Sequence, residues 1–538
     1  MLGKSINLKY FKNQVTTSIE QSLLGLISIS FISFIVNFFL PLNEINNTVL
    51  IFLILSISLY SKVSIKKEDV ILTIIVSIFV FFLIIFDNEY RPDAGLYHLP
   101  FIQIINESNT IIGLTNLHFR FGHTSIIQYL SAINYNFFTG KNGILIPAAS
   151  LISFVTIYFF QDLKKFINNK ERLTFAKFFS LIIVIYISYK INRYSEFGND
   201  APSHVMLFFI ISKYLYSKDY SIENFNFFYL YSIFAFLNKV FFILIFFIPL
   251  IFFIKNLKNL KNLILNISHI IIVLWFIKNL LVSGCLIYPA KATCISNLDW
   301  TSMNLIEKVQ IQSEAWSKGW PQNKNQDLDM ESFNKNFNWV SAWLSNHFKF
   351  ILKLISPYII FIFIIFVFMH SKKKYEIIKV KDHHYLDTKF KLLTVLTISV
   401  LGIILFIMKF PLYRYGYSYF IVFLFLLLMF FFNRFDTKRT LLSFKVIFIF
   451  GVLIISTKQL VRIYKYYDTR NFVPNHIFIS NKSFTNKYKK INLEKNFSIY
   501  ISEDECFYGL SPCSNEINHI KKISYKKKLF FDQILYDK

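Results

Sequence analysis

From Ile19 to Thr457 the chain repeats long apolar runs at short intervals, among them Leu72 to Phe86, Leu181 to Ile187, Phe241 to Ile254, Ile359 to Met369 and Phe420 to Phe432. So many segments are hard to place in one water-soluble core, and their repetition predicts an all-α polytopic membrane protein. Composition agrees: of 538 residues, 54% are hydrophobic, 19% are aromatic and only 17% are charged. The formal charge of +26 does not point to nucleic acid. Its lysines fall mainly in short links between apolar runs and in the tail, where they read as topology signals.

Lys4, Lys9 and Lys12 precede a first span of about Ile19 to Leu40, and the next link carries Glu44 and no cation, so the N-terminus is expected in the cytoplasm. The first fifty residues contain no alanine and no A-x-A-like site, so this span reads as an uncleaved anchor. Following the alternation onward gives about 13 transmembrane helices. The multi-span domain covers residues 1–457, with outer loops at 87–142, 192–200 and 283–349. Within the first of these loops, the mixed pattern from Leu96 to Phe138 predicts short amphipathic helices lying in the interface. Phe225 to Ile254 is interrupted at Asn238-Lys239 and predicts a hairpin with Lys239 near its outer turn. Residues 458–538 form a polar, extracytoplasmic segment with strand-like patches such as Phe497 to Ile501.

Cys285 and Cys294 fall in the long outer loop, Cys506 and Cys513 in the tail, and none in a span or cytoplasmic link. Local pairing suggests two disulfides, Cys285 to Cys294 and Cys506 to Cys513, in an oxidising compartment. Free thiols and a four-Cys metal site are the alternatives, although the spacing lacks the C-x-x-C signature of zinc.

The third span leads directly into Asp87-Asn88-Glu89-Tyr90-Arg91-Pro92-Asp93-Ala94-Gly95-Leu96-Tyr97-His98. Charges at the mouth of an apolar span resist burial, so they lie at the interface or line a watery cavity. The same face collects His118, Arg120 and His123, then Arg193, Glu196 and Asp200, then Lys239, Lys278 and Arg414. A carboxylate there suits a general base for an acceptor hydroxyl, while arginine forks suit phosphate oxygens. Duller readings stand beside these. Asp93 and Asp200 have the sequence context of helix caps, and Lys239 and Lys278 that of snorkelling lysines. Asp87, Glu89 and Asp93 are also the candidate ligands of a divalent metal, the one cofactor the loop suggests.

Asp93-Ala94-Gly95-Leu96-Tyr97-His98, Gly113-Leu114-Thr115-Asn116-Leu117-His118-Phe119-Arg120-Phe121, Lys278-Asn279, Ser283-Gly284, Tyr288-Pro289, Asp299-Trp300, Glu314-Ala315-Trp316 and Arg414-Tyr415-Gly416 together resemble the GT-C superfamily of membrane glycosyltransferases. More closely they resemble a bacterial polytopic family within or near it. The resemblance implies an inner-membrane protein taking sugar from a polyprenyl phosphate carrier, with inverting transfer to a glycan, lipid or protein acceptor of the cell envelope. It assigns catalysis to Asp93, with Asp200 and His98 beside it, and substrate or phosphate binding to Arg91, Tyr97, His118, Arg120, Lys239, Lys278 and Arg414. The chain departs from the superfamily in placing its acidic motif after the third span rather than the first. A transporter or flippase of lipid-linked saccharides, or a non-catalytic envelope assembly protein, is the competing reading.

Overall fold

The computed structural model describes the whole chain except residues 12–16, 62–65, 85–92, 170–172, 192–197, 199, 260–265, 267, 323–327, 371–381, 430–436, 467–487, 495–496, 517–522 and 537–538. It is mostly helical. In chain order the helices used below are α1 (Leu2–Tyr10), α2 (Ser18–Val36), α3 (Glu44–Tyr60), α4 (Lys67–Ile84), α5 (Leu99–Glu107), α6 (Ile126–Ile133), α7 (Ile146–Asn169), α8 (Phe175–Lys190) and α9 (Asp200–Tyr216). They continue as α10 (Ile222–Asn238), α11 (Phe247–Lys255), α12 (Ser268–Ser283), α13 (Met303–Ser317), α14 (Lys349–Met369), α15 (Asp382–Lys409), α16 (Tyr413–Met429) and α17 (Thr437–Tyr466).

Among the described residues, five helical stretches are long and apolar enough to cross a membrane: Ser18–Val36, Gly140–Asn169, Val340–Met369, Thr388–Lys409 and Lys438–Tyr464. Shorter apolar helices, such as Glu44–Tyr60 and Tyr413–Met429, run among them. Their packing has a centre and a periphery. Helices α8, α9 and α10 are buried around almost their whole circumference, Leu181 to Ser188 and Pro202 to Ser212 being continuous buried runs. By contrast, α4 turns Ile71, Ile74, Ile75 and Ile78 outward, and α14 exposes Ile360, Phe363, Ile364 and Val367. Only 17% of the apolar stretch in α14 is buried, against 72% in that of α7. Faces this apolar and this open require a hydrocarbon surround.

Helices α15 and α16 meet through small residues and aromatic rings. A Cβ on Gly402 of α15 would sit 2.3 Å from the Tyr419 ring of α16, and one on Gly416 of α16 would sit 2.3 Å from the Phe406 ring of α15. Each glycine is thus the socket for the other helix's ring, as close helix pairing in lipid favours.

One expectation changes. The helices expected to lie in the interface, α5 and α6, are buried on every side from Leu99 to Asn106 and from Ile126 to Ile133. Their amphipathic pattern finds protein rather than headgroups. Asn106 and Asn47 donate to the Ala132 carbonyl at 2.9 Å, and Asn37 donates to the carbonyls of Ile105 at 3.2 Å and Ser108 at 3.0 Å. These amides satisfy backbone acceptors that irregular chain would otherwise leave bare. The tail, as its strand-like patches predict, is not helical. The tail forms β1 (Tyr488–Glu494), β2 (Phe497–Ser502) and β3 (Cys513–Ser514) in one sheet, and β4 (Ile523–Lys528) and β5 (Phe531–Tyr536) in another. Both disulfides, Cys285 to Cys294 and Cys506 to Cys513, are formed.

Gly402→Leu should displace Tyr419 and destabilise the fold by about 1–3 kcal/mol, read as a lower melting temperature of the solubilised protein. An unchanged melting temperature would show that the α15–α16 contact is loose.

Candidate functional site

The charged residues at the ends of the central helices converge. Asp93 opens a π-helical turn, Ala94–His98, that runs into α5. Its side chain makes no cap bond, so the cap reading fails; its Oδ2 instead accepts from Arg414 Nη1 at 2.6 Å. Arg414 stands in the first turn of α16. On the other side, Arg120 Nη1 lies 3.9 Å from Asp93 Oδ1. Asp200, the first residue of α9, has Oδ2 3.8 Å from Arg414 Nε and pairs through Oδ1 with Lys239. Lys239 has extended backbone at the end of α10, in the break before α11. The result is a chain of alternating charge, Arg120, Asp93, Arg414, Asp200, Lys239, drawn from five separate parts of the sequence. Among the described residues of this chain, three cations alternate with two carboxylates.

Aromatic rings hold the cations in place. Arg120 lies over Tyr97 at 4.8 Å and over Phe119 at 5.3 Å. Lys239 lies over Tyr415 at 3.5 Å, and Arg414 over the same ring at 5.1 Å, so one ring holds the two cations that flank Asp200. The Arg120 guanidinium makes no hydrogen bond among the described residues and is 38% exposed, so its donors are open. His204, one helical turn after Asp200, fixes the helix start that carries Arg414: its Nε2 is 2.8 Å from the Arg414 carbonyl and its Nδ1 is 2.6 Å from Ser418 Oγ.

Burial pushes the Asp93 carboxyl up, but the charge and hydrogen bond of Arg414, then the charge of Arg120, outweigh it and hold the group below the ordinary carboxylate range. His98 is buried behind Asp93, and its Nδ1 has no hydrogen-bond partner among the described residues. Burial lowers it to about 4, against the pull of Asp93 and Asp200. From the tail, Glu516 senses the same arginine: burial raises it to about 7, with Arg120 and Lys308 drawing it back.

The structure therefore brings together Asp93, Tyr97, His98, Arg120, Asp200, Lys239 and Arg414. The remaining candidates fall elsewhere. His118 is buried, and its Nδ1 accepts from the Arg120 backbone N–H at 3.1 Å, so it shapes the turn that presents Arg120. Lys278 is enclosed on α12, where Nζ donates to Asn37 Oδ1 at 2.9 Å beneath the rings of Phe38 and Tyr129, at 4.4 and 5.1 Å. It ties α12 to the end of α2 and is not open to a ligand. Asp87, Glu89 and Arg91 lie outside the described residues. No three His, Cys, Asp or Glu side chains form a metal set among the described residues, and of the three candidate ligands only Asp93 is described, facing guanidinium groups.

This chain belongs to the DUF8201 family, a domain of unknown function whose profile matches residues 1–421. That stretch includes all five members of the chain of charge. No curated protein and no solved structure matches the sequence.

Sequence reasoning missed His204 and Glu516 as neighbours of the site. Only His204 left a usable signal, because it follows Asp200 by four residues and so shares its helix face.

The buried His98 sets a pH dependence. An unfolded imidazole takes up a proton near pH 6.5, whereas the folded one does so only near 4. Between those values the unfolded chain binds the extra proton, so stability should fall as pH drops through that window. His98→Gln should lessen the slope of the melting-temperature profile over it, with the share of His123, which burial also lowers to about 4, remaining; an equal slope in both proteins would contradict a buried neutral His98.

Proposed function

We propose that the chain is a membrane glycosyltransferase of GT-C kind with about 13 crossings, transferring sugar from a polyprenyl phosphate donor to an envelope acceptor at the extracytoplasmic face of a bacterial inner membrane. The convergence of Arg120 and Arg414 on the single carboxylate of Asp93 is the observation that supports it most. A leaving phosphate needs charge and paired donors, which two guanidinium forks supply. The acceptor hydroxyl needs a carboxylate within reach. Both stand in one place, at the ends of the central helices.

In this reading the lipid phosphate competes with Asp93 for the arginines. Without substrate, Arg414 keeps Asp93 a weak base. When phosphate oxygens take up the guanidinium donors, the carboxyl is released and its proton affinity rises toward the ordinary range. Asp93 then takes the proton from the acceptor hydroxyl. That oxygen forms the bond to the anomeric carbon, the anomeric C–O bond to phosphate breaks on the opposite face, and the departing phosphate keeps the electron pair against Arg120 and Arg414. Asp200 and Lys239 hold Arg414 in position from behind.

Purified protein incubated with a panel of polyprenyl phosphate sugars and acceptors should form a new glycoside detectable by mass spectrometry. Asp93→Asn should reduce its formation about a hundredfold or more while expression and insertion persist. Movement of the labelled lipid between leaflets without a glycoside would favour a flippase instead.

The same variant separates binding from chemistry. Asp93→Asn removes the competitor for the arginines, so polyprenyl phosphate should bind it at least as tightly as the wild type in native mass spectrometry. Weaker binding would refute the exchange of partners.

A further inference from the structure

The tail ends in a hairpin built against local rules. Strands β4 and β5 pair from Ile523 with Tyr536 to Lys528 with Phe531, so the turn between them is the two residues Leu529 and Phe530. Two-residue turns favour Asn and Gly because they need positive φ. Here the first position is Leu529, with φ 57°. The same residue is 84% exposed, and Phe530 is 50% exposed. A bulky apolar side chain therefore bears both a conformational cost and a hydration cost at the most protruding point of the tail. Neither cost serves the turn.

The surroundings say what would offset them. Phe530 lies 6.3 Å from the ring of Phe39, which follows the end of the apolar helix α2. Phe39 and Leu40 are exposed there, as is Ile45 in the first turn of α3. Phe138 packs 5.8 Å from Phe52 on the open face of α3. The hairpin tip thus continues a ring of exposed apolar side chains at the ends of helices whose outer faces are themselves apolar. Immediately before the tip come Lys526, Lys527 and Lys528, all exposed. Apolar side chains beneath a row of lysines are the arrangement that lets a segment sit in the headgroup border.

We propose that the β4–β5 hairpin is a lipid anchor, with Leu529 and Phe530 entering the bilayer border and the three lysines binding anionic headgroups. The anchor bears on the site through β5. The Ile112 N–H donates to the Asp532 carbonyl and the Ile534 N–H to the Ile112 carbonyl, each at 2.8 Å, and Asn116 Nδ2 donates to the Ile534 carbonyl at 3.0 Å. Gly113, at φ 69°, leaves the room, since a Cβ there would lie 2.2 Å from that carbonyl oxygen. The segment so clamped leads within a few residues to His118 and Arg120. A hairpin seated in lipid therefore holds the loop that presents Arg120, whatever reaction the site performs.

Because the four native cysteines are paired, Leu529→Cys offers a single thiol for a spin label in the full chain. In nanodiscs of phosphatidylcholine and phosphatidylglycerol the label should be more accessible to oxygen than to a polar nickel chelate, with the reverse at Lys490→Cys on β1. A label at 529 as open to nickel as that at 490 would overturn the proposal. Its depth should decrease in pure phosphatidylcholine and in the Lys526→Gln/Lys527→Gln/Lys528→Gln variant; equal depth in all three would overturn the headgroup assignment. Leu529→Asn/Phe530→Gly keeps a favourable turn and removes the apolar tip. Amide exchange over residues 523–536 in nanodiscs should then rise on the order of tenfold, whereas unchanged or slower exchange would contradict anchoring.

Discussion

The Asp93–Arg414 ion pair is the joint on which the site depends. It links the turn before α5 to the first turn of α16, and through Arg414 it reaches Asp200 and Lys239 at the ends of α9 and α10. At the edge of an apolar bundle an unpaired charge is costly, so removing one member leaves its neighbour exposed to that cost. The pairing draws together the turn before α5, the starts of α9 and α16 and the end of α10.

Around that joint the molecule separates rigidity from contact with its surroundings. The fully buried α8, α9 and α10 carry Asp200, His204 and Lys239, so these groups rest on the least yielding part of the fold. Helices with open apolar faces, such as α4 and α14, surround them and carry none of the clustered charges. The tail closes the same side. Its Phe507 N–H donates to the Gly95 carbonyl at 2.9 Å, inside the turn between Asp93 and His98, and Gly509 accepts from Gln103. The Cys506–Cys513 loop therefore braces the turn that presents Asp93.

Much of this was legible in the sequence because a charge at the end of an apolar run has few places to go. Asp93, Asp200, Lys239 and Arg414 each stood out for that reason, and so did the hairpin around Lys239. What stayed hidden depends on contacts between distant segments. Lys239 and Lys278 look alike in sequence, as single lysines beside an asparagine in apolar runs. One meets Asp200 and the other meets Asn37 under aromatic rings. The pattern of α5 and α6 is equally amphipathic whether the covering layer is headgroups or protein, and here α2 and α3 cover α6 while the tail reaches α5. Asn37, Asn47 and Asn106 pin the backbone beneath the site, yet a chain rich in asparagine gives no reason to single them out. For Asp93 the cap and the catalytic or metal-binding carboxylate were both plausible locally, and its bond to Arg414 in place of a cap bond removes the first.

The central claim is that Arg120 and Arg414 receive an anion in exchange for Asp93. Its most direct test is a cryo-electron microscopy map of the full chain in nanodiscs with a polyprenyl phosphate sugar bound. The account predicts phosphate density within hydrogen-bond reach of both guanidinium groups, with the Asp93 carboxylate turned away from Arg414. Phosphate bound elsewhere, with the Asp93–Arg414 pair intact, would contradict it.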